Sequence, residues 1–190
     1  MADPTLLDLT GEMLVSMPGM GDPRFDRAVI FMCAHSDDGA MGLIVNKPAA
    51  DMNLGDLLDQ LEIACTSSLR GKQVHFGGPV ETARGFVLHT QHYASRLQTL
   101  NVKGQFGMTT TLDVLEDLAI GDGPDPCLVH LGYAGWGPGQ LEAEIARNDW
   151  LTTQADPALL FHTPDDDKWA AAVRSMGIEP LGLSGMAGHA

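Results

Sequence analysis

Apolar residues fall into two rhythms along the chain, and each predicts a different kind of element. The run Ala28-Val29-Ile30-Phe31-Met32-Cys33-Ala34 has no polar interruption, which predicts a strand covered on both faces. Met41 to Asn46 is a second such run, and the short, turn-rich Ser36-Asp37-Asp38-Gly39 between them predicts an antiparallel hairpin. Met13 to Met17 alternates weakly and suits a strand. Further strands are expected at Gln73 to Phe76, Gly85 to Thr90, Gln105 to Thr109 and Cys127 to Leu131, enough for one sizeable sheet.

Helical spacing appears at Leu54, Leu57, Leu58 and Leu61, with Asn53 placed as N-cap. A second stripe, Leu112, Leu115, Leu118 and Ala119, opens with the capping-box-like Thr110-x-x-Asp113 and stops at Gly121. A third helix is expected from Gly139 to Asn148, with Leu141 and Ile145 inward and Glu144 placed to pair with Arg147. The last is expected from Asp166 to Met176, with Trp169, Val173 and Met176 inward and Gly177 as the stop. This order lacks the regular βαβα alternation of a doubly wound fold, so the expected class is α+β with a mixed sheet. With no repeat and no linker, residues 1–190 are expected to form one domain.

Charge narrows the function classes. Eleven Lys and Arg stand against 25 Asp and Glu, a formal charge of −14, which repels polyanions. The basic residues are scattered, the nearest groupings being Arg24 with Arg27 and Arg70 with Lys72, so direct nucleic-acid binding is not expected. Cys33, Cys65 and Cys127 are too few and too separated for a disulfide framework. Met1-Ala2-Asp3-Pro4 does not read as a secretory signal and no apolar run is long enough to span a bilayer. A cytoplasmic location, away from the membrane, is expected. The 22 glycines predict many tight turns.

Candidate chemistry is sparse. The segment 132–139 reads as a glycine-rich loop that leaves a buried strand and opens a helix, and such a loop can present backbone N–H groups to an anion. It has neither the Walker Lys-Ser/Thr nor GxGxxG spacing, and Glu142 and Glu144 in the following turns would repel phosphate. Trp136 within it is expected to fold back onto the core. Neither His89-x-x-His92 nor Cys33-x-His35 completes a ligand set, so no metal and no cofactor is expected. Cys33 and Cys127 lie in apolar runs, where burial raises a thiol's pKa and blocks access. No catalytic set is recognisable. The residues most suited to contact a ligand or partner are Asn46 and Lys47, Gly77, Gly78 and Pro79, Gly135, Trp136 and Gly137, together with His35 and His130. If their turns gathered at one sheet edge, they would line a cleft of polar backbone with few charges.

Several of these segments, in order, resemble the AlgH/YqgE family of bacterial proteins. They are Met17-Pro18-Gly19-Met20-x-Asp22-x-x-Phe25, His35 with Gly39-Ala40-Met41-Gly42, and Asn46-Lys47-Pro48. Phe76-Gly77-Gly78-Pro79-Val80, Arg84 to His89 and Leu131 to Gly137 with Gly139-Gln140-Leu141 follow, and the chain closes with Ala187-Gly188-His189-Ala190. The resemblance implies an α+β domain whose mixed, partly bifurcated sheet curls toward a pseudo-barrel flanked by about four helices. It also carries a regulatory label, from an association with alginate synthesis, but no assigned activity and no catalytic residues. The function expected first is a non-enzymatic cytoplasmic binding or regulatory protein acting through a protein or small-molecule contact. A hydrolase or transferase using His130, His35 or a cysteine beside segment 132–139 is the alternative. Direct DNA binding ranks third, because neither a helix-turn-helix nor a basic face is visible.

Overall fold

A computed structural model describes residues 7–183; Met1 to Pro4 and Ala187 to Ala190 lie outside them. Ten strands are described: β1 (Glu12–Ser16), β2 (Val29–Ser36), β3 (Gly39–Ile44), β4 (Pro48–Asn53), β5 (Gln73–Phe76), β6 (Val80–Thr90), β7 (Leu100–Val102), β8 (Phe106–Thr109), β9 (Cys127–Trp136) and β10 (Trp150–Gln154). Five α-helices accompany them: α1 (Leu54–Gln60), α2 (Leu112–Ile120), α3 (Gln140–Ala146), α4 (Pro157–His162) and α5 (Asp165–Ser175). The main sheet runs β10-β1-β2-β3-β9-β6-β8-β7, with β5 against β9 and β4 against β5. It is antiparallel except for β5 beside β9, and it curls into a half-barrel.

The period-2 pattern explains how the sheet is covered. In β1 to β3 and the residue that follows, one set of side chains, Met13, Val15, Val29, Phe31, Leu43 and Val45, packs under Leu159 and Leu160 of α4 and Trp169, Ala172 and Val173 of α5. The alternate set, Leu14, Ile30, Met32 and Ile44, packs with Leu141 of α3, because successive side chains of a strand point to opposite faces. Leucines of α1 and α2 cover Val74, Val87 and Val129 in a third cluster. The expected hairpin is β2–β3, turning at Asp37-Asp38. Asn53 caps α1 as expected, in a reciprocal capping box with Asp56.

Three local expectations are corrected. Residues 132–136 are not loop: β9 continues through Trp136, because its far end pairs with β3, Trp136 opposite Ala40. Only Gly137 to Gly139 turn into α3. The cap of α2 is at Thr111, not Thr110, and it has no side-chain cap bond; Asp113 instead accepts from Ser95, Arg96 N–H and Thr111. Glu144 does not pair with Arg147, which bonds Asp149 at 3.0 Å; Glu144 accepts the indole N–H groups of Trp136 and Trp150.

The sheet forks at Gly77. β5 and β6 pair with the same stretch of β9, residues 129–131, and so occupy its two edges. Between them the chain has only Gly77, Gly78 and Pro79 with which to pass from one edge to the other. Gly77 sits in the fork, its N–H donating to Leu131 O of β9 while its C=O accepts from Ile44 N of β3. A Cβ on Gly77 would lie 2.2 Å from Gly132 O, one on Gly78 2.0 Å from the Tyr133 carbonyl carbon, and one on Gly132 2.3 Å from Gly78 O. These neighbours are backbone, which cannot swing aside. Gly132 also has φ +75, a left-handed conformation that penalises any Cβ by about 1–2 kcal/mol.

Because a strained φ and a backbone clash act together, Gly132→Ala is expected to cost more than about 3 kcal/mol, or to prevent folding. Gly71→Ala, where a new Cβ meets nothing within 4 Å, is expected to stay within about 1 kcal/mol of the parent. Urea denaturation followed by circular dichroism measures both; equal effects would show that the crossing is not tight.

Candidate functional site

The residues singled out in the sequence do not share one cavity. His35 is sealed: its side chain is 1% exposed, its Nδ1 accepts from Leu9 N–H at 3.1 Å, and its Nε2–H donates to Glu142 at 2.6 Å. Gly77 and Gly78 are buried in the fork with His130 beside them. Pro79, Gly135 and Trp136 line a cleft beneath α3, and Gly137 N–H bonds Gln140 in the turn that starts that helix. Asn46 and Lys47 stand elsewhere: both line one depression, and Lys47 also lines a second beside it.

The larger depression is an apolar groove of about 540 Å³, created by two irregular strands. Residues 49–52 of β4 lie opposite Val74 alone, since Pro48 pairs with His75 and Asn53 with Gln73. Gln73 holds this bulge by donating its amide to the carbonyls of Ala49 and Met52. On the other edge of β9, residues 81–84 of β6 likewise oppose only Gly132. Between the bulges, Phe76 and Leu131 form the floor, Pro48, Ala49, Ala50, Met52 and Thr82 the walls, and Arg24 and Lys47 the rim. Arg24 is neutralised by Asp22 at 2.7 Å. Lys47 has no carboxylate partner among the described residues; its Nζ donates to Asp26 O.

The second depression, about 310 Å³, lies between the Asn46-Lys47 turn and the start of α5, and Arg27, Asp165, Asp166 and Trp169 line it. Asn46 is structural, accepting from Val29 N–H and donating to Arg27 O. The Arg27 guanidinium stacks 5.3 Å over the Trp169 ring. Behind Asp165 is a buried polar cluster. His75 Nε2–H donates to Asp165 at 2.9 Å, and Lys168 Nζ donates to Asp165 at 3.0 Å and to Val45 O at 2.7 Å. Lys168 is 2% exposed. His130 Nδ1–H donates to Phe86 O, and the two imidazoles lie 5.7 Å apart. Their remaining nitrogens, His75 Nδ1 and His130 Nε2, are buried without partners. The sequence reading missed His75, Asp165 and Lys168. A signal existed, since Lys168 falls on the apolar stripe of Trp169, Ala172 and Val173, where a charge needs a buried partner.

A family profile described as AlgH-like matches residues 13–181. The chain belongs to the AlgH-like family. It is 59% identical to the UPF0301 protein of Ruegeria pomeroyi, over 97% of this chain and all of that one, and 48% identical to that of Ralstonia nicotianae, over 97% and 96%. The solution structure of the AlgH protein from Pseudomonas aeruginosa matches with a TM-score of 0.79 at 41% identity, covering both chains fully. A Corynebacterium diphtheriae protein, at 22% identity and TM-score 0.71, covers 92% of this chain and 89% of its own and shares the fold.

In this AlgH-like protein Cys33, Cys127 and His130 are poorly placed for covalent chemistry, while Cys65 is a half-buried free thiol. Burial pushes the Cys33 thiol up to about 12 and, against the charge of Lys72, the Cys127 thiol up to about 11, so neither forms a thiolate nucleophile near neutrality. Burial, reinforced by His75, holds His130 well below the ordinary histidine value. Burial also pushes the Asp165 carboxyl up, but the hydrogen bond and charge of His75 and the ammonium of Lys168 outweigh it and hold the group ionised. Asp165 is therefore a fixed charge and a poor base. Among the described residues no group of three or more His, Cys, Asp or Glu could hold a metal ion, and no helix is long and apolar enough to cross a membrane.

Since His130 is depressed in the fold, the unfolded chain binds its proton more readily. Its contribution to stability is present above about pH 6.5 and is lost as the pH falls below that value, with a limiting slope of about 1.4 kcal/mol per pH unit for one proton. His89, lowered by burial, adds in the same direction. Urea midpoints between pH 7.5 and 5 are expected to fall, and His130→Leu to fall less steeply; an unchanged slope in that variant would refute the assignment.

Proposed function

We propose that this protein is a non-enzymatic binding protein for a small amphiphilic anion, with the apolar body in the groove and the carboxylate or phosphate head at Lys47. The observation that carries this reading is the position of Lys47, which lines both the groove and the polar cleft. An ammonium has three N–H donors, and Asp26 O takes one of them. Arg27, also without a carboxylate partner among the described residues, adds a second cation on the same side, while Asp165 and Asp166 keep an anionic head from moving deeper. A groove of this size, mostly apolar with few polar groups, is typical of small-molecule sites.

A net charge of −14 opposes anions at a distance. At physiological ionic strength, however, screening acts within about 8 Å, so the local cations decide what enters the groove. A regulatory effect would then pass through the occupied or empty state of the groove, in the cytoplasm, without DNA contact; the three free cysteines agree with a reducing compartment.

Decanoate is the probe. Carbon-detected NMR is expected to show saturable shifts at the methyl groups of Met52, Ala49, Ala50 and Leu131. Lys47→Glu is expected to weaken binding at least tenfold, about 1.4 kcal/mol, and decanol to bind more weakly than decanoate. Equal affinity in parent and variant, or shifts that avoid the groove, would exclude this reading. An acidic peptide that displaces decanoate would instead identify a polypeptide as the natural occupant.

A further inference from the structure

The cleft beneath α3 shares only Arg24 with the groove and differs from it in chemistry. Trp150, itself 3% exposed, is part of its lining, with Phe25 edge-on at 5.8 Å and 78° and Trp136 edge-on at 6.1 Å and 80°. Glu144 shares this cleft, which has a volume of about 310 Å³. One carboxylate oxygen of Glu144 accepts both indole N–H groups at 2.8 Å, and the other accepts the Gln140 amide at 3.1 Å. These donors are neutral, so they fix the carboxylate in place without cancelling its charge.

The other charges at the rim cancel in pairs. Arg24 bonds Asp22 at 2.7 Å and lies 5.8 Å over the Phe25 ring, and Arg147 bonds Asp149 at 3.0 Å. Glu144 is left with no cationic partner among the described residues, bonded to the Trp136 and Trp150 indoles with Phe25 packed on Trp150, on a protein of charge −14. We propose that this cleft binds an alkylated ammonium group, of the trimethylammonium type, held by the rings and by the Glu144 charge.

The alkylated form follows from the hydrogen bonding. Both oxygens of Glu144 already accept N–H donors, and ring faces are poor substitutes for water around a primary ammonium. A cation without N–H groups loses little hydration on entering, and its charge still meets the ring quadrupoles and the carboxylate.

Choline tests this, with its neutral isostere 3,3-dimethylbutan-1-ol as control. The indole N–H signals of Trp136 and Trp150 are expected to shift saturably with choline at millimolar concentration, leaving that of Trp169 unmoved, and to respond at least tenfold more weakly to the alcohol. Glu144→Gln keeps an oxygen that accepts from the indoles and is expected to weaken choline at least tenfold. Phe25→Leu, which leaves the Glu144 bonds intact, is expected to weaken it several-fold. Choline and the alcohol binding alike, no response to choline, or an unchanged affinity in folded Glu144→Gln would each overturn the proposal.

Discussion

Three backbones meet where Gly77 and Gly78 cross Gly132, at distances that leave no space for a side chain. Much of the architecture depends on that contact. β5 and β6 run antiparallel to each other on opposite edges of β9, and only three residues carry the chain from one edge to the other, because it passes directly against the strand. The cost falls on β3, which leaves β9 after Gly42 and is bridged to it by the carbonyl of Gly77. The sheet is thereby split, with β5 and β4 on one tine and β3, β2, β1 and β10 on the other. Each tine then needs its own cover, which is why α1 and α2 pack on one part of the face and α3 on another.

Helix α5 closes the opposite face, and it is fastened by charge as well as by packing. Lys168 reaches the carbonyl of Val45 at the end of one tine, and through Asp165 it engages His75 on the other. A buried pair of this kind adds little net stability against an apolar substitute, but it is strongly unfavourable to break one partner at a time. Its effect is positional: the helix cannot slide along the sheet without stranding an ammonium in an apolar layer. The Asn46-Lys47 turn lies directly beyond Val45, so the lock also sets the place of the one rim cation that faces both depressions.

The elements that the sequence predicts well are those whose apolar pattern is set by flat layers. The runs at 28–34 and 41–46 are covered on both faces and read directly as strands, and the leucine stripe after Asn53 meets one layer and reads as a helix. Misreadings cluster where tertiary contact overrides local chemistry. Glycines at 132, 135 and 137 look like loop residues, yet two of them lie within β9, because a strand crossed by another chain needs small residues as a loop does. β4 opens with proline and bulges over Val74, so its alternation is lost; β7, β10 and α4 are too short to show a period. The candidate site was legible at Asn46 and Lys47, as a turn after a buried strand. His75 and Asp165 were not, because they are 90 residues apart and only the fork brings them together.

The same geometry accounts for where the ligand-sized spaces are. Residues 49–52 and 81–84 bulge on the two strands nearest the crossing, since a strand that must bend away from a fork takes up extra residues on its free side. The groove between the bulges is thus a by-product of the split sheet, floored by Phe76 and Leu131 because α1 and α2 stop short of the fork. Ala49 and Ala50 put only methyl groups into its wall, and Gln73 holds that bulge by the carbonyls of Ala49 and Met52. An apolar floor left open in this way, with Lys47 at its edge, is better explained by a molecule that enters it than by incomplete packing.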